Sequence, residues 1–300
     1  MKLITHKEID KKKWDTAVSD SGYSYLYAYS WYLDIVHPGW QAIIADDYST
    51  VFPVPSKKKS GISYVIKPRF TQQLGWFGKF NAAIEKNTLQ LLEKNFRYID
   101  FSIHSKITLS GKWKIKENSN YELGLNSSFA KLTDKFNENC KRNLKKSVKS
   151  GNNFCEDLPI EELIKLFRLT KGKELKEISA DHYRIIKEIY NSGAGKKAAS
   201  VSGIKNKDGK LISAVLFIHW KNRIYYLFSA SDEEGKKSGA AFTVIEQCVK
   251  KYSGNKIILD FEGSDIAGLA RFYSGFGAER KKYFTIKYNN LPFYLKWLKK

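Results

Sequence analysis

The sequence predicts an α/β (α+β) chain of two units, each a sheet with flanking helices. Its 300 residues are enough for two domains of ordinary size. Hydrophobic residues make up 42% and aromatic residues 14%, which supports well-formed cores and excludes a disordered chain. Along the whole length, β-favouring aromatic runs alternate with segments whose apolar residues recur at helix spacing.

In the first hundred-odd residues, Trp31 to His37 reads as a helix end, closed by Pro38-Gly39. Trp40 to Ala45 and Ser49 to Val54 read as strands joined across Asp46-Asp47. A lysine-rich turn, Lys57 to Gly61, leads to a third strand, Ser63 to Lys67. A helix over Asn87 to Asn95 and a strand over Arg97 to His104 complete an α+β unit. The boundary is expected near Leu125, because Asn126-Ser127-Ser128 supplies N-cap residues for the next helix. The predicted domains are therefore residues 1–125 and 126–300. One internal echo fits two related units: Tyr98-Ile99-Asp100-Phe101 is repeated in kind by Ile258-Leu259-Asp260-Phe261.

The second unit opens with a helix predicted over Phe129 to Ser150. At 100° per residue, Lys141, Arg142, Lys145, Lys146 and Lys149 fall within roughly 140° of arc, beside an apolar edge of Cys140, Leu144 and Val148. This is a continuous basic ridge. It fits a cradle for a phosphate backbone or an anionic lipid, and equally an ordinary solvated face. Glu161 to Ser192 reads as two helices jointed near Gly172. Ala198 to Ile204 and Leu211 to Ile218 are strands paired across a turn containing Asp208-Gly209. The tail Leu291 to Lys300 is too apolar to hang free and is expected to pack back.

The chemistry concentrates between Arg223 and Glu279. A strand, Arg223 to Ser231, is followed by Lys236-Lys237-Ser238-Gly239-Ala240-Ala241. A helix then carries Ala241, Val244, Ile245, Cys248, Val249 and Tyr252 on one face, with Glu246 outward. Small residues leave backbone N–H groups open at that helix start beside two lysines, a pattern that attracts phosphate. The next strand, Lys256 to Gly263, places Asp260 and Glu262 on one face at its carboxyl end, where ligands sit in open α/β sheets. Ile266, Leu269, Ala270, Tyr273 and Phe276 form the stripe of a last short helix, before a strand over Tyr283 to Tyr288.

Composition narrows the classes further. The formal charge is +21, yet only eight of the 52 basic residues are arginines. Such a chain is drawn to polyanions, RNA or an anionic membrane face, while arginine is the better reader of planar phosphate or base edges. Three scattered cysteines lack metal-type spacing and fit a reducing compartment, so no metal site is predicted. No apolar run serves as a signal peptide or membrane span, which predicts a cytoplasmic protein. No Ser-His-Asp, Cys-His or Walker pattern is readable, and His219 reads as structural.

The order of these parts resembles the GNAT-type N-acyltransferases. Their pyrophosphate loop reads Arg or Gln, two residues, Gly, one residue, then Gly or Ala; here Lys236, Gly239 and Ala241 fill that frame, with lysine in the leading place. Tyr273 in ARFYSGFGAE matches the Tyr of the closing helix. More narrowly, LDFEGS, FYSGFGA and the basic RNLKK helix resemble the tandem-domain FemABX transferases. The resemblance implies two GNAT-like domains, each a mixed, mostly antiparallel sheet. It also implies transfer of an aminoacyl group from charged tRNA to an amine of a peptidoglycan precursor peptide, with no permanently bound cofactor. On this basis Glu262 and Asp260 are candidate proton acceptors and Tyr273 a candidate acid. Lys236, Lys237, Ser238, Gly239, Ala240 and Ala241 are candidates for holding the donor's phosphates, and the ridge for meeting an acceptor stem. Arg69, Gln72, Gln73 and Trp76, in RFTQQLGWFG, resemble the acceptor-lining segment. Two other readings stay open: an acyl-CoA-dependent enzyme acting on a small amine or sugar nucleotide, and a basic RNA- or membrane-binding module without chemistry.

Overall fold

The computed structural model describes residues 1–23, 25–108, 111–174, 178–195, 197–263 and 265–296. Ser264 of the LDFEGS run and residues 297–300 of the tail lie outside them, as do 175–177 between the two predicted helices. The chain divides into two compact units, Met1–Asn118 with Lys282–Lys300, and Ser119–Lys281. This differs from the boundary expected near Leu125.

In the first unit, β1 (Lys2–Ile4), β2 (Gln41–Ile44), β3 (Thr50–Val54) and β6 (Phe77–Gly78) form an antiparallel sheet in the order β1-β2-β3-β6. A second group places β4 (Ser56–Lys59) antiparallel to β5 (Ile62–Ile66), and β5 parallel to β7 (Tyr98–Ile103). The carboxyl half of β14 (Glu279–Asn289) pairs antiparallel with β7, so the chain's last strand belongs to the first unit. The helices are α1 (Lys11–Asp20), α2 (Ser30–Val36), α3 (Ala82–Asn95) and the single turn α12 (Phe293–Lys296). Asp10 caps α1 by accepting from the Lys12 and Lys13 N–H groups, and Asn81 caps α3 through Ile84 N–H. The lysine-rich segment expected as a turn is strand β4 instead, because each residue from Ser56 to Lys59 finds a cross-strand partner in β5.

The second unit has the strand order β8-β13-β12-β11-β10-β9. Here β8 is Trp113–Gly124, β9 Asn153–Cys155, β10 Ala199–Lys205, β11 Leu211–Trp220, β12 Arg223–Ser231 and β13 Ile258–Asp260. Only the β12–β13 pair is parallel among the registers β8–β13–β12–β11–β10–β9. The carboxyl half of β8, through Glu122, Leu123 and Gly124, pairs with β13, which moves the boundary back to Asn118/Ser119. The helices are α4 (Phe129–Asp134), α5 (Glu138–Lys149), α6 (Ile160–Leu169), α7 (Lys171–Glu174), α8 (Ala180–Gly195), α9 (Glu233–Ser238), α10 (Ala240–Tyr252) and α11 (Ala267–Ser274).

The predicted helix Phe129 to Ser150 is therefore two. Asn137 breaks it: its side chain accepts from Cys140 N–H at 2.9 Å, capping α5, while its own N–H donates to Gly275 O at 2.9 Å. Two further differences concern facing. Val148 is 76% exposed, since the buried side of α5 is centred on Cys140, Leu144 and Ser147. Ile266 precedes α11 as its N-cap residue and is exposed, leaving Tyr273 as the helix's buried residue. The core of the unit gathers Leu144, Val215, Ile245, Leu259, Phe261 and Phe276 around the parallel pair.

Candidate active site

Strands β12 and β13 start together and then part. Arg223, Ile224 and Tyr225 pair with Ile258, Leu259 and Asp260, and pairing stops there although β12 runs on to Ser231. Beyond Asp260 the chain turns toward β8: Phe261 N–H donates to Tyr121 O at 3.0 Å, and Glu262 takes φ 55°. The strand expected over Lys256 to Gly263 is thus three residues long. Left-handed backbone at a non-glycine residue is strained and tends to mark functional sites. Gly263 follows with φ 55°, and a Cβ there would stand 2.1 Å from Ser119 O, so the turn is tightly fixed. Parting parallel strands open a cleft at their carboxyl ends, where α/β sheets bind ligands.

The anchor of this geometry is a buried ion cluster. Arg223 Nη1 donates to Glu122 Oε1 at 2.7 Å and to Asp260 Oδ2 at 2.8 Å. The other Asp260 oxygen accepts from Asn120 Nδ2 at 3.0 Å and from Glu262 N–H at 2.9 Å. Burial pushes the Asp260 carboxyl above the usual carboxylate range, Glu122 adds to the push, and Arg223 opposes it. Both oxygens of Asp260, suggested by the sequence as a proton acceptor, are engaged and the side chain is fully buried, with one oxygen holding the Glu262 N–H. Arg223, Glu122 and Asn120 were not singled out in the sequence, because nothing in their spacing joins three strands.

Tyr273 sits beside Glu262 on an aromatic floor. Its ring stacks on Phe261 at 4.8 Å and meets Tyr226 edge-on at 6.2 Å. Burial, then Tyr226 and the Glu262 charge, hold its hydroxyl far above the ordinary phenol range. It keeps its proton at neutral pH. Glu262 is thus near enough to Tyr273 for its charge to act on the phenol, and Asp260 holds the Glu262 N–H.

The predicted donor loop is a helix–glycine–helix junction. Asp232 caps α9 by accepting from Gly235 N–H at 2.8 Å, so Lys236, Lys237 and Ser238 are helical and not looped. Gly239, at φ 77°, both ends α9 and caps α10. Ser238, Gly239 and Ala240 are buried, while Lys236 and Lys237 are exposed, Lys236 donating to Glu233 at 2.6 Å. Helix α5 packs on this junction: a Cβ at Gly239 would stand 2.7 Å from Asn143 O. The basic ridge and the junction, separate in the sequence reading, are neighbours. Arg142, Lys145, Lys146 and Lys149 are exposed, and Lys141 pairs with Glu138 at 3.6 Å. Glu246, expected outward, is half-buried near Cys140 of α5, and burial raises its carboxyl.

The expected acceptor residues lie in the first unit. Trp76 is core there, its Nε1 donating to Thr88 Oγ1 at 3.0 Å and its ring 4.7 Å from Phe52. Gln72 and Gln73 are buried and bonded to each other at 3.0 Å, and Arg69 is exposed. The ring of Trp76 is thus spent on packing. Among the described residues, no helix is long and apolar enough to cross a membrane.

Comparison with known proteins places the fold. Residues 134–267 match a family model described as acetyltransferase (GNAT) domain. No curated protein sequence matches significantly. A crystal structure of FemX aligns with TM-score 0.68 at 14% identity, covering 99% of each chain. The structure of L-PGS from Bacillus licheniformis aligns with TM-score 0.56 at 11% identity, over 96% of this chain and 94% of that one. A tandem GNAT protein from the clavulanic acid biosynthesis pathway gives 0.54 at 10% identity, over 95% and 98%. The chain thus has the fold of two GNAT-like domains.

Proposed function

We propose that this FemX-like, GNAT-fold acyltransferase moves an aminoacyl group from charged tRNA to the amine of a cell-wall precursor peptide, with the reaction centred on Glu262. The observation that carries this reading is the parting of β12 and β13, which leaves Glu262 and Tyr273 together at the carboxyl end of a parallel pair. Amide formation needs an uncharged amine, and Glu262 would take its proton directly or through water. Asp260 and Arg223 hold the Glu262 backbone in its left-handed turn.

Two features favour tRNA over coenzyme A as donor. The start of α10 is closed over at Gly239 by Asn143, and the exposed cations beside it belong to α5 as well as α9. A phenol as hard to ionise as Tyr273 yields its proton uphill to a thiolate. An ester leaving through a ribose oxygen can take its proton from a neighbouring hydroxyl or water instead. A second reading, an acyl-CoA donor with a small amine acceptor, is favoured by the match to an acetyltransferase domain.

Single-turnover amide formation with each donor separates the two. With aminoacyl-tRNA, Tyr273→Phe is expected to lower the rate only a few-fold and Glu262→Gln by about 10²-fold or more. Circular dichroism of both variants should match the parent, since each swap conserves volume. A 10²-fold loss in Tyr273→Phe with an acyl-CoA as the working donor would overturn the tRNA assignment. Full activity in Glu262→Gln would remove its role as proton acceptor.

A further inference from the structure

One face at the edge of the first unit carries none of the candidate site residues. A cavity of about 370 Å³ lies there, walled by Ile62, Tyr64 and Ile66 of β5, Tyr98 of β7, and Leu291 and Leu295 of the tail. Alternation along β5 puts its three residues on one side of the sheet. The Tyr98 hydroxyl donates to Asp100 Oδ2 at 2.7 Å, so its polar end is satisfied within the protein. Such a cavity prefers hydrocarbon to water.

Its rim is basic. Lys57 and Lys59 stand opposite Tyr64 and Ile62 in the β4–β5 register, on the same face as the cavity. Both are exposed, and neither has an ion-pair partner among the described residues. Lys287, 5.7 Å above the Tyr98 ring, is matched by Asp100 at 4.0 Å. Beside the cavity, the turn that brings in Leu295 leaves Phe293 86% and Tyr294 59% exposed. Exposed aromatic residues flanked by unmatched lysines, around an apolar cavity, complement a surface with anionic heads over hydrocarbon.

We propose that this face is a seat for an anionic phospholipid surface, with Lys57 and Lys59 on the headgroups, Phe293 and Tyr294 at the interface, and one acyl chain entering the cavity. It is independent of the acyl-transfer reading and of the ridge on α5.

Sedimentation of the full chain with vesicles tests it. Binding to phosphatidylcholine vesicles carrying phosphatidylglycerol should exceed binding to phosphatidylcholine alone. Each lysine near an anionic surface is worth about fivefold in partition, so Lys57→Glu with Lys59→Glu should cost about 25-fold or more. Phe293→Ser with Tyr294→Ser should weaken binding to both vesicle types, and Lys145→Glu with Lys149→Glu should leave it near the parent value. For the cavity, the emission added by Ile62→Trp should be quenched by phosphatidylglycerol with brominated chains. Equal binding by the parent and the Lys57/Lys59 variant, a loss appearing only in the Lys145/Lys149 variant, or an unquenched Trp at position 62 would each overturn the proposal.

Discussion

Arg223 carries more of the candidate site than any residue that touches the cleft. Its guanidinium is matched by two carboxylates, Glu122 and Asp260, and all three side chains are nearly or fully buried. Removing the arginine from such a cluster leaves two carboxylates largely out of water without their bonded cation, and breaking a buried pair costs about 3–5 kcal/mol. Removing one of two anions leaves the other to pair with the arginine. Arg223→Met is therefore expected to lower stability by about 3–5 kcal/mol and Asp260→Asn by less, measured by urea unfolding. The opposite order would mean that Asn120 and the Glu262 N–H, not Arg223, provide most of the compensation for the buried aspartate. The cluster also sets Asp260 apart from Glu262. In sequence it stands two residues from Glu262 and looks equivalent to it. Only the cross-strand neighbours, set by registers between β8, β13 and β12, distinguish an anchor from a group facing the cleft.

The elements show which signals the sequence carried. Helices with an apolar stripe and hairpins with turn residues were legible: α10, the β10–β11 pair and the β2–β3 pair lie where periodicity and turn chemistry put them. The longest strand, β8, was not. Its middle residues Asn118, Ser119 and Asn120 are polar and buried, satisfied by Thr285, Arg280 and Asp260, so no alternation survives in the sequence. The break in the basic helix was hidden too, because Asn137 becomes a cap only when Gly275 holds its backbone. At the α9–α10 junction, contact alters what a glycine substitution tests. Gly239→Ala would force an L-residue to φ 77° with its Cβ 2.7 Å from Asn143 O. A loss of about 2–3 kcal/mol and a fall of several degrees in Tm are expected, whatever the donor. An unchanged Tm would show that α5 yields easily at this point. The ridge gives the cleaner test of donor contact, since its charges point to water. Arg142→Glu, Lys145→Glu and Lys149→Glu together should leave Tm nearly unchanged and reduce the slope of log affinity for tRNA against log salt by nearly one unit per lost phosphate contact. An unchanged slope would return the ridge to an ordinary solvated face.

For the whole molecule, the excess of lysine governs encounters with polyanions, while stability depends on a few buried titrating groups. Each unit carries a histidine that its surroundings hold neutral, buried His104 in the first and half-buried His219 in the second. Burial lowers the pKa of His37, also in the first unit, in the same sense. In the first, His104 Nε2 donates to Trp76 O at 2.9 Å and Nδ1 lies 2.7 Å from Ser105 Oγ, which donates to it when the ring is neutral. Burial lowers its pKa to about 4. In the second, burial and then Lys251 lower His219 to about 4. Both folded values lie below the unfolded value near 6.5, so the unfolded chain binds more protons between about pH 6.5 and 4. The stability these rings contribute is fully present above pH 6.5 and is lost as pH falls through that window, by about 2–3 kcal/mol for each histidine. Asp15 and Asp260 act the other way, because burial raises both carboxyls and favours the native state as they take up protons. Their contribution grows as pH falls through their raised folded values toward their unfolded values near 4, so it offsets part of the loss that the histidines cause. Urea midpoints should therefore fall between pH 7 and pH 5. The fall should shrink in His104→Gln, which keeps a side-chain N–H for Trp76 O, and in His219→Gln, which keeps one for Ser200. A midpoint that stays flat from pH 7 to pH 5 in the parent chain, or a fall of the same size in both variants, would place the pH dependence elsewhere.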